Sequence, residues 1–166
     1  PFGLSEFMTD SGPKYSLDLS FLEKDTNDKV AGFYNILQSI DKLMVTKGVE
    51  NSKKWFGKQM SEDMVNEFYR PLVKAGRPKK NSDECYPDTV KFKIRTLGDR
   101  KNVECFDMNK QHMSIDELTP GSKARCIVEI SPVWFINKTF GVTLNLLQAE
   151  IQKPEKIEGF SFEDDD

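Results

Sequence analysis

Residues 119–153 constrain the fold more than any other stretch, because they have the pattern of two long strands joined by a tight turn. In residues 123–130 apolar and polar side chains alternate, which is the period-two signature of a half-buried strand. Pro132 interrupts this ladder and predicts a bend, and Asn137-Lys138 predict the turn. Gly141 in the return strand indicates a bulge or a close backbone approach. A long bent hairpin of this kind is a barrel-forming element.

The other strand-like patterns predict a mainly β chain. Residues 14–22 alternate as a first strand, and residues 89–96 alternate as a second strand. Residues 103–107 form a third strand, which Gly98-Asp99 would join to the second as a hairpin. Residues 1–13 have neither helical nor strand periodicity, so they are expected to be irregular.

Residues 23–88 read as a long helical insertion between the first and second strands. Asp25 or Asn27 can cap a helix whose apolar residues recur at three- and four-residue spacing. Gly48 is the expected end of that helix. Ser61, followed by two acidic residues, is the expected N-cap of a second helix.

Ser114 and Glu117 have the spacing of a capping box and predict a short helix between the third and fourth strands. Five strands with a helix in that position match an OB-fold barrel. We therefore expect one mainly β domain, residues 1–159, with a five-stranded OB-fold barrel and a long helical segment between strands 1 and 2. Residues 160–166 would follow as an acidic C-terminal tail. A sandwich or an open sheet stays possible on pattern alone, because nothing in the sequence requires barrel closure.

Composition argues against membrane and secreted proteins. No run of about 18 apolar residues is present, as a transmembrane helix would need. The first ten residues lack the basic and apolar regions of a secretory signal. Cys85, Cys105 and Cys126 are an odd number without close spacing, so we expect reduced thiols in an intracellular protein.

The sequence contains no credible active site. His112 is the only histidine, so the usual nucleophile–histidine arrangements have a single candidate base. No C-x-x-C or H-E-x-x-H spacing suggests zinc, and no phosphate-binding P-loop is present. We therefore expect neither an enzyme nor a cofactor or metal.

Charge is distributed unevenly along the chain. Residues 53–101 contain 13 Lys/Arg against 7 Asp/Glu, whereas residues 1–52 and 102–166 have net charges of −3 and −6. A basic middle predicts an anionic partner. The alternative is that these charges form an ordinary solvated surface.

The basic middle also contains aromatic residues among its cations, beginning at residues 53–58. Binding of a single-stranded nucleic acid needs cations that follow the phosphates and rings that stack on bases. The same rings can instead fill the core, and both roles stay open. The candidate nucleic-acid-binding residues are Lys53, Lys54, Trp55, Phe56, Lys58, Tyr69, Arg70, Arg77, Lys79, Lys80, Lys91, Lys93, Arg95, Phe106 (expected beside the cations of the second strand), Arg125 and Trp134.

Two stretches carry a resemblance to a known family. In residues 120–151 a Gly-Ser pair enters a strand, an aromatic pair precedes an Asn-Lys turn, and Phe-Gly-Val opens the last strand. Residues 86–94, YPDTVKFKI, fit the same pattern. The second half of the chain thus resembles the OB-fold single-stranded-DNA-binding proteins of large eukaryotic DNA viruses, such as those of algae, and more distantly the T7-like phage protein. The matching positions are Gly121, Ser122, Trp134, Phe135, Asn137, Lys138, Phe140, Gly141, Val142 and Gln148.

The resemblance implies non-enzymatic binding and protection of single-stranded DNA in viral replication, recombination or repair, in the host nucleus or at a cytoplasmic viral replication site. It also implies that the tail competes with DNA and docks a replication polymerase, helicase or primase. The candidate tail residues are Phe160, Phe162, Glu163, Asp164, Asp165 and Asp166. From the residues alone a solubilising end is equally compatible. A structural or protein-interaction module, such as a virion or transcription-complex subunit, an RNA-binding OB protein and a homodimer also stay open.

Overall fold

A computed structural model gives the fold of residues 1–154. In that range the helices are α1 (Asp28–Glu50), α2 (Ser52–Phe56), α3 (Glu62–Phe68) and a 3-10 helix (Ile115–Glu117). The strands are β1 (Leu4–Thr9), β2 (Gly12–Ser20), β3 (Tyr69–Arg70), β4 (Val73–Lys74), β5 (Thr89–Ile94), β6 (Thr96–Leu97), β7 (Arg100–Lys101), β8 (Glu104–Asp107), β9 (His112–Met113), β10 (Lys123–Ile130), β11 (Trp134–Ile136), β12 (Thr139–Gly141) and β13 (Leu144–Gln152).

The main sheet has the order β1-β2-β5-β13-β8-β9, with β10 on the other side of β13 and β4 beside β5. Strand β13 is central, because it runs parallel to β5 and β8 and antiparallel to β10. The sheet curls into a half barrel, and the long helix α1 lies between the predicted first and second strands, β2 and β5. The predicted OB-like, mainly β fold with a helical insertion is therefore confirmed. The barrel is open, since β10 pairs only with β13 among the described strands.

The long bent hairpin predicted from the sequence forms β10 to β13. Its stem pairs β10 with β13, with a bulge between Ile127 and Val128, and its tip pairs β11 with β12. The tip adds to β3 as a separate sheet. Asn137 makes the turn with a φ of 55°. A Cβ at Gly141 would lie 2.9 Å from Cζ2 of Trp134, so the predicted close approach is present.

The N-terminal residues correct the expectation of irregular structure in residues 1–13. Strand β1 pairs along its whole length with β2, from Leu4 opposite Leu17 to Thr9 opposite Gly12. The sequence of β1 has no clean alternation because most of its side chains are exposed. Its conformation follows from hydrogen bonding to β2, which local periodicity does not report.

Helix α1 begins as predicted but does not end at Gly48. The side chain of Asn27 caps the helix by accepting hydrogen bonds from the backbone of residues 29 and 30. Gly48 lies inside the last turn, where a Cβ would come within 2.6 Å of Cγ1 of Val65 and 3.0 Å of Cζ of Phe140. Its role is therefore close packing of α1 against α3 and β12. Ser61 caps α3, as predicted.

The expected hairpin between residues 89–96 and 103–107 is wrong. Gly98 and its neighbour turn the chain between the two-residue strands β6 and β7. Strand β8 instead runs parallel to β13 and pairs with β9. The predicted short helix after β9 is present with its capping box, as a 3-10 helix that begins after Ser114.

Candidate nucleic-acid interface

The open side of the half barrel, between β2 and β10, is a cleft of about 1310 Å³. The start of α1 and the segment between β4 and β5 complete its walls. Inward-facing side chains of the sheet form an apolar floor that includes Leu19, Val90, Phe92 and Cys126. We call this space the cleft.

Cations outnumber acids around the cleft. Two acidic side chains, Glu23 and Glu150, line it. The lining cations are Lys29, Lys74, Arg77, Lys79, Lys123 and Arg125. A concave surface with an excess of one sign of charge attracts ligands of the opposite sign. The cleft is therefore suited to a polyanion.

Two aromatic rings at the cleft are open to solvent. Tyr86 is 57% exposed and Phe2 is 59% exposed, and both line the cleft. An exposed ring beside cations has the two properties that single-stranded nucleic acid requires, a stacking face and a nearby phosphate partner.

Residues 75–87 form what we call the basic arm, which connects β4 to β5. Its two sides are held together by backbone hydrogen bonds, from Tyr86 N to Arg77 O at 2.8 Å and from Lys79 N to Glu84 O at 2.9 Å. Asn81 turns the tip with a φ of 63°. The arm thus presents Arg77, Lys79 and Tyr86 to the cleft from a hydrogen-bonded hairpin.

Several of the predicted cations lie in ion pairs. Lys79 pairs with Glu84 at 2.7 Å. The pairs on the strands are Lys91 with Asp18, Arg95 with Glu129, and Arg125 with Glu150. Exposed pairs of this kind contribute about 0–1 kcal/mol, so a phosphate can replace the carboxylate at small cost. Within residues 1–154, the predicted cations outside any ion pair are Lys53, Lys54, Lys58, Arg70, Arg77, Lys80 and Lys93.

The rings of α2 pack inside an aromatic cluster. The ring centroid of Trp55 lies 5.4 Å from that of Phe135 and 6.0 Å from that of Phe140. Phe56 lies 5.4 Å from Phe140 and 6.2 Å from Phe68. Both rings are half-buried and join the core. Their edge contacts fix the hairpin tip onto the helices, which is a different role from the predicted base stacking.

Tyr69 and Trp134, two of the predicted nucleic-acid-binding residues, also have packing contacts in the structure. Tyr69 is 4% exposed, and its hydroxyl donates a hydrogen bond to Oδ1 of Asp41 at 2.7 Å. Burial, reinforced by that hydrogen bond, raises the pKa of Tyr69 above its ordinary value. Trp134 is half-buried and donates from Nε1 to Oγ1 of Thr143 at 3.1 Å.

The expected position of Phe106 beside the cations of β5 is wrong. Its strand β8 does not pair with β5, because both strands occupy different lengths of the same edge of β13. The ring of Phe106 instead lies 4.5 Å from the ring of His112 on β9.

The acidic tail lies outside the described residues. Strand β13 ends at Gln152, which lines the cleft, and Lys153 then pairs with Glu117 at 3.0 Å. In the sequence the predicted tail, residues 160–166, begins eight positions after Gln152.

Within residues 1–154, no three His, Cys, Asp or Glu residues are grouped so that they could hold a metal ion. The helices described for this range are all too short or too polar to cross a membrane.

The cleft includes residues that sequence reasoning missed, because it is assembled from distant parts of the chain. Tyr86 belongs to the matched stretch 86–94 but was given no binding role, and the signal available in the sequence was its position close after the basic residues 77–80. The cations Lys29, Lys74 and Lys123 belong to three separate elements that only the fold brings together.

The topology defines an OB-like β protein with a helical insertion and a basic, ring-bearing cleft. The chain belongs to the family of unknown function DUF5871, whose family model matches residues 17–164. No curated protein matches the sequence.

Solved structures of a bacteriophage Enc34 protein share the fold. The single-stranded DNA-binding protein from bacteriophage Enc34 in complex with single-stranded DNA is 16% identical, with a TM-score of 0.53 over 90% of this chain and 77% of that chain. A C-terminal truncation of the Enc34 protein gives a TM-score of 0.51 at 16% identity, over 93% and 83% of the two chains. For gp2.5, a single-stranded DNA-binding protein encoded by bacteriophage T7, the TM-score is 0.48 and the identity 14%, over 92% of this chain and 81% of that chain.

Proposed function

We propose that this protein binds single-stranded DNA in the cleft, without catalysis, during viral DNA replication. The observation that carries the proposal is the convergence of six cationic side chains and two exposed rings on the open side of an OB-like sheet. The Enc34 protein, which has a similar fold, is described in complex with single-stranded DNA, and this supports the proposal.

The chemistry of the cleft favours a single strand over a duplex. Arg77 and Lys74 can neutralise phosphates, while the ring of Tyr86 offers a face to an unpaired base. Stacking of a base on an aromatic side chain contributes about 1–3 kcal/mol, and it is unavailable to a base that remains paired inside a duplex. The apolar floor excludes water from the bound strand and strengthens the electrostatic contacts.

Tail competition belongs to the same proposal. Residues 160–166 include four acidic side chains and two phenylalanines. In the proposal the carboxylates pair with the cations of the cleft and the phenylalanines pack on its apolar floor. DNA would displace the tail and free it for replication proteins such as a polymerase, helicase or primase. Roles in recombination and repair, a host nuclear or cytoplasmic viral site, and kinship with algal-virus proteins remain parts of the proposal.

Fluorescence anisotropy with labelled oligo-dT of about 16 nucleotides, within the site size of one OB fold, tests the proposal. We expect the logarithm of the binding constant to fall linearly with the logarithm of the salt concentration. Binding to a duplex of the same length should be weaker. Arg77→Ala combined with Lys74→Ala should lower the affinity more than the matched pair Lys53→Ala with Lys54→Ala on α2. Absence of binding to any single strand at low salt would exclude the proposed function. A preference for oligo(U) RNA over oligo-dT would make RNA the ligand.

A further inference from the structure

The backbone ladder of the basic arm is broken at its root, next to the main sheet. Hydrogen bonds run from Tyr86 to Arg77 and further out along the arm, and β4 pairs with β5 on the other side of the break. At the break the backbone N–H of Gly76 donates to Oδ1 of Asp88 at 3.0 Å instead of to a neighbouring strand. A side-chain carboxylate therefore replaces the missing rung.

The other oxygen of Asp88 connects the arm to two further elements. Oδ2 accepts a hydrogen bond from the Tyr34 hydroxyl of α1 at 2.6 Å and one from Nζ of Lys24 at 3.3 Å. Gln38 in turn donates to the Tyr34 hydroxyl at 2.9 Å. Hydrogen bonds to an ionised carboxylate are shorter and stronger than those between neutral groups. The Tyr34 hydrogen bond, against the opposing effect of burial, holds the pKa of Asp88 below its ordinary value.

The root of the arm has no room for adjustment. A Cβ at position 76 would lie 1.6 Å from the carbonyl oxygen of Tyr86, so Gly76 is in direct contact with the opposite side of the arm. The carboxylate of Asp88 accepts the hydrogen bond of Gly76, and the backbone carbonyl of Asp88 accepts a hydrogen bond from Phe21 N at 2.9 Å. One carboxylate thus joins the root of the arm to α1 and to the segment before it.

We infer that Asp88 is a positioning residue for the single-stranded-DNA site, because it holds the basic arm, with Arg77, Lys79 and Tyr86, against the cleft through Gly76, Tyr34 and Lys24. The inference rests on the proposed function. It assigns to an acidic residue, which itself repels phosphate, a favourable effect on DNA binding. Removing a negative charge beside a DNA site would ordinarily increase affinity, so the expected sign is opposite to that of simple electrostatics.

The first test uses Asp88→Ala with Asp116→Ala as its control. Asp116 also accepts hydrogen bonds from a lysine, Lys101, and from a hydroxyl, Ser114, but neither partner belongs to the basic arm. We expect Asp88→Ala to lower the affinity for oligo-dT about tenfold. The salt slope, which is the magnitude of the slope of the logarithm of the binding constant against the logarithm of salt concentration, should fall by about 1.4. Loss of two phosphate contacts to a single strand would cause a change of that size. Asp116→Ala should change neither quantity, and an unchanged or tighter Asp88→Ala complex would overturn the inference.

A double-mutant cycle separates positioning from general destabilisation. In a protein already carrying Arg77→Ala and Lys79→Ala, adding Asp88→Ala should weaken binding by less than about threefold, because two of the three contacts it positions are already absent and only that of Tyr86 remains. If Asp88→Ala lowered the oligo-dT affinity by the same factor in the wild type and in the Arg77→Ala/Lys79→Ala protein, the inference would be contradicted. Tyr34→Phe, which keeps the ring, provides a milder variant if Asp88→Ala does not fold, and it should lower both affinity and salt slope in the same direction.

Hydrogen exchange without DNA distinguishes failure of this inference from failure of the proposed function. The amides of Lys79 and Tyr86 are hydrogen-bonded within the arm. Asp88→Ala should accelerate their exchange while leaving the amides of β13 unchanged. If the wild-type protein binds no DNA but the arm amides lose protection, the anchor exists and the proposed function is wrong. If their protection is unchanged, the anchor itself is disproved.

Discussion

At the scale of single residues, exposure decides what each aromatic side chain does. Trp55 stands among lysines in the sequence, yet its ring packs edge-on against Phe135 and Phe140. Tyr86, in an equally polar stretch, is 57% exposed at the cleft. Substitution of Trp55 should therefore lower stability, whereas substitution of Tyr86 should weaken DNA binding.

We expect Trp55→Ala to lower the free energy of unfolding by about 3 kcal/mol, since it leaves a hole in the aromatic cluster. Tyr86→Ala should leave that free energy nearly unchanged and weaken oligo-dT binding by about 1–3 kcal/mol. Urea denaturation and fluorescence anisotropy measure the two quantities. The interpretation of Trp55 as a core residue would be wrong if Trp55→Ala weakened DNA binding at unchanged stability.

The two glycines of α1 should respond differently to alanine. At Gly48 a Cβ would lie 2.6 Å from Val65, so Gly48→Ala should destabilise the protein by about 1–3 kcal/mol through overpacking. At Gly32 no atom lies within 4 Å of an added Cβ, so Gly32→Ala should stabilise it by about 0.5–1 kcal/mol. Thermal or urea unfolding of both variants checks this pair, and a similar change of the same sign in both would contradict the packing described for α1.

The three thiols should differ in reactivity. Burial raises the pKa of Cys105 to about 11 and is the main cause that raises the pKa of Cys126 to about 12, whereas Cys85 is exposed on the basic arm. Because the thiolate is the reactive form, iodoacetamide at about pH 8 should modify Cys85 first in the native protein. Intact-mass spectrometry should show one adduct before unfolding and three after it. Rapid formation of a second adduct in the native state would mean that the sheet is more open than described.

At the scale of elements, local patterns predicted what local forces determine. The alternation of β10, the Asn27 cap of α1 and the capping box after Ser114 are all present, since each depends on residues close in sequence. Strand β1, the parallel pairing of β8 with β13 and the hydrogen-bonded arm depend on partners far along the chain. Periodicity carries no information about such partners, and this is why the hairpin expected at residues 89–107 was wrong.

The candidate site was predictable only in part for the same reason. Of the cations predicted from the sequence, Arg77 and Lys79 of the basic middle and Arg125 of β10 do line the cleft. Tyr69 is instead buried, and its hydroxyl donates a hydrogen bond to partly buried Asp41. An aromatic residue can thus lie in the core while the cation next to it in the sequence lies on the surface. Only the packing of the whole chain decides which of the two is exposed.

At the scale of the whole molecule, charge is divided between a basic cleft and an acidic C-terminal end. Deleting residues 160–166 removes four carboxylates from a chain of net charge −3. We expect the deletion to tighten oligo-dT binding, most strongly at low salt, because a competing anion is removed and long-range repulsion falls. Anisotropy titrations of the full and shortened chains give the comparison, and unchanged or weaker binding by the shortened chain would count against competition.

The position of the bound DNA can be determined by ultraviolet crosslinking to an oligo-dT that contains 5-iododeoxyuridine, followed by peptide mass spectrometry. The bound strand should crosslink to Tyr86 or Phe2, the exposed rings of the cleft, and Tyr86→Ala should abolish the adduct at its position. Crosslinks confined to residues 53–58 of the α2 region, or to the outer face of β5, would show that the DNA binds another surface and not the cleft.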